Sequence, residues 1–126
     1  MFEVKKIDDK IRWNNFLLNQ PTQTGIFLQS AEWLDFQEII RHKTLRLGLV
    51  DESDALQAVS GIVENILPLS KKYFYIPRGP VMNYELGIKN YEFLIEEILK
   101  IAKKEKTFFL RIEPINQNLK SEILNL

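Results

Sequence analysis

The chain is 126 residues long, enough for a single domain that buries about two thirds of the surface its unfolded form exposes. Hydrophobic residues make up 45% and charged residues 27%, which argues against disorder and against a disulfide scaffold. With 17 basic and 17 acidic residues and no cysteine, the chain has no global field to draw a polyanion, and thiolate chemistry and Cys-type zinc sites are excluded.

The opening "MFEVKKIDDK" contains no apolar run of signal-peptide or membrane-span length. With the lack of cysteine it fits a cytoplasmic protein. Phe2 to Ile7 alternate apolar and polar, which predicts a strand. "DDKIRWNNFLLNQ" then offers two Asp caps and sets Ile11, Phe16 and Leu18 near helical spacing. Pro21, Thr22 and Gly25 break that helix. Ser30 is a good N-cap for "AEWLDFQEIIRH", in which Trp33, Phe36, Ile39 and Ile40 share a face and predict a second helix.

From Thr44 the period changes to two, through Leu45, Leu47 and Leu49. "DESD" makes a turn, and "ALQAVSGIVENILPL" continues as the second arm of a hairpin. Gly61 within that arm predicts a bulge or a close approach by another backbone. Pro68 ends it, and "KKYFYIP" forms a third strand. Tyr91, Leu94, Ile95, Ile98 and Ala102 make one stripe of the longest helix, within "NYELGIKNYEFLIEEILKIAKKEK". "TFFLRIEP" is a further strand, and "NLKSEILNL" predicts a short helical tail with an apolar, uncapped end, as if more chain were to follow. The result is a mixed α/β domain spanning residues 1–126, with an antiparallel hairpin meander and a later crossover helix.

Three segments offer chemistry. In "YIPRGPVM", Pro77 and Pro80 fix φ on either side of Arg78, and Gly79 permits a close approach, so a guanidinium is carried on stiff backbone. Such an arginine suits a phosphate or carboxylate; the ordinary alternative is a strand-end turn with a solvated side chain. In "FFLRIEP", alternation puts Arg111 and Glu113 on one face at a strand end, suited to substrate contact or proton transfer, or else to a plain surface ion pair. In "FLQSAEW", Trp33 and the cap Ser30 read most simply as core and helix start. His42 is the only histidine, which excludes a multi-His metal site and assigns it to a solvated helix end. No metal ligand set is proposed. Acyl-CoA acetyltransferases cradle pyrophosphate on a glycine-rich loop at a helix N-terminus, and Gly25, Gly48, Gly61, Gly79 and Gly87 form no such cluster, nor a Walker or dinucleotide fingerprint. No cofactor is expected.

Taken in order, "FLQSAEW" (27–33), "YIPRGPVM" (75–82) and "FFLRIEP" (108–114) resemble the N-terminal half of the FemAB (FemXAB) aminoacyltransferases, which build peptidoglycan interpeptide bridges. The resemblance implies a GNAT-like fold and a cytoplasmic enzyme of two such domains. In it, a stem-peptide amine of a muramyl-peptide precursor attacks the ester of an aminoacyl-tRNA, without coenzyme A. It also implies site residues. Arg78 with Gly79 falls at the family's basic GP turn, Glu113 falls at an acidic residue near the reacting amine, and Arg111 and Trp33 lie in the matched segments. Phe108 stands where some members have a substrate-contacting tyrosine, and Gln37 stands near a family lysine that contacts precursor phosphate.

A lysine amine of pKa about 10.4 is protonated at pH 7, and neutralising it costs about 4.6 kcal/mol. Glu113 is the best candidate in the chain for the base; if the substrate supplies the proton acceptor, Glu113 only orients the amine. Family members run to more than twice this length, so the tRNA-facing domain is expected to be missing. The chain then reads as a fragment, a split product needing a partner chain, or a remnant, with no catalysis by itself. The alternatives are a non-catalytic module that pairs with itself or another polypeptide, and a stand-alone small-molecule N-acyltransferase.

Overall fold

The computed structural model describes residues 1–116 and 119–126. Its spine is one mixed sheet. In chain order the elements are β1 (Glu3–Lys6), α1 (Lys10–Leu18), α2 (Ala31–Ile39), β2 (Thr44–Val50), β3 (Leu56–Ile66), β4 (Lys72–Ile76), β5 (Val81–Met82), α3 (Ile88–Lys104), β6 (Phe109–Ile112) and β7 (Glu122–Asn125). The strand order is β1-β2-β3-β4-β6-β7, with β5 also on β3. Every pairing is antiparallel except β4 with β6. That parallel pair requires a crossover, which α3 supplies.

The helix starts follow the sequence. The Asp9 carboxylate accepts from the backbone N–H of Ile11 at 3.0 Å and Arg12 at 3.1 Å, and the Ser30 hydroxyl accepts from that of Trp33 at 3.1 Å. Each cap satisfies donors that a helix start leaves free. In α3 the expected stripe is the buried one: Tyr91, Leu94, Ile95, Ile98 and Ala102 pack on one sheet face with Phe74, Ile76, Leu110 and Ile112. On the other face α1 and α2 contribute Trp13, Phe16, Leu17, Ala31 and Leu34 against Val50, Val59, Val63 and Val81. Fully burying an aliphatic side chain contributes about 1.5–3 kcal/mol, so two separate clusters hold the sheet from both sides.

Several expectations fail in detail. In α1, Ile11 and Leu18 are exposed, while Trp13 and Leu17 join Phe16 inside. In α2 the inward residues are Ala31, Leu34 and Gln37; Phe36, Ile39 and Ile40 face outward and Trp33 is only half-buried. Gly61 is no bulge: the register shift in the hairpin lies at Leu49/Val50. The close approach there is made by side chains, since a Cβ on Gly61 would lie 2.9 Å from Leu34 Cδ1. The expected tail helix over 118–126 begins at a residue outside the described ones. Its described part is strand β7, which pairs antiparallel with β6. The short strand β5 was not foreseen.

Candidate functional site

The Pro77–Pro80 turn sits in a gap of the sheet. β4 pairs with β3 over Val63 to Ile66, β5 pairs with it at Ala58 and Val59, and the segment between them is lifted away by the turn. Gln29, fully buried, fills the gap. Its amide oxygen accepts from Gly61 N–H at 2.7 Å, and its amide nitrogen donates to Gly61 O at 3.0 Å and Pro77 O at 2.7 Å. A side-chain amide thus substitutes for the missing ladder partner and satisfies three backbone groups in the gap. Gly79 is packed against the same amide; a Cβ there would come within 2.8 Å of it. Its role is close approach, with its carbonyl accepting from Glu113 N–H at 3.0 Å.

Arg78 has φ +55°, the left-handed region that L-residues seldom occupy. Its guanidinium folds over the loop before α2. Nη2 donates to Thr24 O at 3.2 Å, and Nε lies 2.5 Å from where a Cβ of Gly25 would be. Among the described residues it has no carboxylate partner, and it is half-buried. The cation is held by shape and one carbonyl, with its charge left uncompensated.

The second group assembles at the ends of β4 and β6. Tyr75 and Arg111 are direct partners in the parallel pair, and Glu113 follows two residues later on the same face. The Tyr75 hydroxyl donates to Glu113 Oε1 at 2.5 Å and Arg111 Nη2 donates to Oε2 at 2.9 Å, while the guanidinium carbon lies 4.9 Å from the centre of the Tyr75 ring. Burial first, then the hydrogen bond to Glu113 and its negative charge, push the Tyr75 phenol up to about 12. The phenol is therefore a fixed donor at neutral pH. A carboxylate offers about four acceptor positions, so Glu113, with one donor on each oxygen, still has room for an incoming N–H.

Tyr75 also lines a shallow cleft of about 200 Å³ with Trp33, Gln37, Leu28, Val63, Asn65 and Pro77. The Trp33 ring is braced edge-on by Phe27 at 5.9 Å and by Phe36 at 5.5 Å. The structure thus brings Trp33, Gln37 and the Glu113–Arg111 pair around one residue, Tyr75, and ties Arg78 to them only through the turn. Phe108 is not part of this group. It stands just before β6, exposed, with Lys71 Nζ 4.9 Å from its ring centre. His42 is not a solvated helix end: it is half-buried, with Nδ1 3.2 Å from Glu64 O. Among the described residues no group of three or more acidic, His or Cys side chains is placed to hold a metal ion. Sequence reading missed Gln29 and Tyr75. A lone amide inside apolar "IFLQS" was a signal for the first; nothing local signals the second.

A mixed sheet with one parallel pair, two helices on one face and a crossover helix on the other is the architecture of the GNAT acetyltransferases. A GNAT family acetyltransferase from Brucella melitensis, solved with acetyl-CoA, superposes with TM-score 0.63 at 11% identity, covering 100% of this chain and 96% of that one. Glucosamine-6-phosphate N-acetyltransferase from Arabidopsis thaliana gives 0.59 at 11% identity, covering 94% and 85%. A probable N-acyltransferase from Enterococcus faecalis V583 gives 0.60 at 17%, covering 94% of this chain and 30% of that one. The chain belongs to the FemAB family, whose model matches residues 10–123. Among curated proteins, aminoacyltransferase FemA of Staphylococcus aureus is 28% identical over 99 residues, covering 71% of this chain and 23% of the relative. The chain thus spans about a quarter of that relative's length. No helix among the described residues is long and apolar enough to cross a membrane.

Proposed function

We propose that this chain is the precursor-binding part of an aminoacyltransferase of peptidoglycan interpeptide-bridge synthesis, working in the cytoplasm. The reading rests on family membership, and the observation that carries it is the Glu113 carboxylate. It is set at a strand end beside the Pro77–Pro80 turn, holding one donor on each oxygen and free to accept another. An acceptor ammonium docked there is oriented and its charge balanced. The docked ammonium first gives up one proton to solvent; in the transfer step the neutral amine nitrogen then bonds to the ester carbonyl of an aminoacyl-tRNA, the ester C–O bond breaks, and a second amine proton goes to the departing ribose oxygen. With Arg111 and Tyr75 already on its oxygens, Glu113 holds and orients the amine. Arg78 meets precursor phosphate or a stem-peptide carboxylate, and Trp33 and Gln37 wall the cleft. The reaction uses no coenzyme A, and the tRNA is met by a further domain or a partner chain.

The test is calorimetric titration of the purified chain with a UDP-muramyl-pentapeptide, and with coenzyme A alongside. Saturable precursor binding that is lost in Arg78→Ala is the expected result. Heat with coenzyme A but none with precursor would instead favour a small-molecule N-acyltransferase. Precursor binding as tight in Arg78→Ala as in the parent would remove Arg78 from the site.

A further inference from the structure

Tyr75 stands where two features meet. Its ring lines the cleft with Trp33 and Gln37, and its hydroxyl reaches Glu113 Oε1. The ring is fixed by its neighbours: Val63 on β3 and Arg111 on β6 are its direct partners, and the Arg111 guanidinium lies over it. Glu113 lies one residue past the last position of β6, held by a single backbone bond to Gly79 O, so its side-chain torsions are set by what its two oxygens meet. The two donors differ. Arg111 is 46% exposed and carries a charge that water or a competing cation can replace. The Tyr75 phenol is neutral, half-buried and a poor target for exchange with solvent.

We propose that Tyr75 is a positioning residue of this site: by holding Glu113 Oε1 it presents Oε2 to the acceptor's amine, at the place where Arg111 now donates. The inference rests on the reading of Glu113 as the group that receives the amine. Arg111 then acts as a resident cation, paired with the carboxylate until the substrate's ammonium joins or displaces it. The consequence is selectivity. A precursor with a free lysine amine gains a charge-assisted contact that depends on the Tyr75 hydroxyl, and one whose amine is blocked gains nothing from it.

The experiment titrates the whole chain with a UDP-muramyl-pentapeptide bearing a free lysine amine, and with the same precursor acetylated on that amine. The parent should prefer the free amine. Tyr75→Phe, which removes only the hydroxyl, should lower that preference about fivefold and leave affinity for the acetylated precursor unchanged; Glu113→Gln should abolish the preference. If Tyr75→Phe keeps the full preference, or weakens both precursors alike, the positioning role is wrong while the functional reading stands. A parent that binds the precursor without preferring the free amine overturns the role of Glu113 and this inference together. A second measurement needs neither substrate nor a Tyr75 variant. With ¹³C-labelled tyrosine, Glu113→Gln should bring the Tyr75 titration down from about 12, and an unchanged titration would mean that the contact is not made in solution.

Discussion

Gln29 and Arg78 play opposite parts in the turn. Gln29 satisfies three backbone groups on Gly61 and Pro77. Gln29→Leu keeps roughly the same volume and leaves all three without a partner, which costs about 3 kcal/mol or more. The measurement is the urea midpoint. A loss below about 0.5 kcal/mol, the range of ordinary surface changes, would mean that water replaces the amide. Arg78 presents the opposite case, because its backbone is strained for a side-chain-bearing residue, at φ +55°. Arg78→Gly relieves a strain of about 1 kcal/mol, so the variant should be as stable as the parent or slightly more so, while precursor affinity falls about tenfold. A destabilised Arg78→Gly would make the arginine a structural brace on Thr24 O. A strained arginine that adds nothing to stability is the pattern expected where function holds the conformation.

At the scale of elements, α2 shows what periodicity can and cannot say. Ser30 and the apolar spacing place the helix correctly, yet its larger apolar side chains point outward. Ala31 and Leu34 go in because the helix crosses β3 at Gly61, where the missing Cβ admits Leu34. Packing of the Leu34 side chain against the bare Gly61 backbone selected this face over the bulkier one. Leu34→Ala should therefore cost about 3 kcal/mol, whereas Ile39→Lys, at a position 76% exposed, should stay within about 0.5 kcal/mol; denaturant curves of the two variants decide it. β7 makes the same point from the other side. "SEILNL" has no strong local preference, and the open edge of β6 imposes strand on it. Arg111 and Glu113 were legible because they alternate within one strand. Tyr75 was not, because its contact depends on the parallel register of β4 with β6, which only the crossover through α3 establishes.

For the molecule as a whole, the sheet carries one tyrosine on each face whose ionisation is opposed by folding. Tyr91, on α3, is pushed up to about 12 by burial and then by the Glu122 carboxylate of β7; Tyr75, on the opposite face, is raised to about 12 by burial and by Glu113. In the unfolded chain both phenols lose their protons near the ordinary value of 10.0. Between about 10 and 12 the native state therefore binds more protons than the unfolded state, and stability falls as pH rises through that window; below 10 this contribution is fully present. Tyr91→Phe isolates one of the two contributions. The Tyr91 hydroxyl is buried without a hydrogen-bond partner, and its removal should leave stability at pH 7 unchanged or slightly higher. Above pH 10 the variant should gain steadily on the parent, because phenylalanine has no proton to lose. Urea midpoints of both proteins at pH 7, 9 and 11 test this: curves that stay parallel would show that the Tyr91 hydroxyl reaches water in the native state and that α3 packs less closely on β7 than the structure has it.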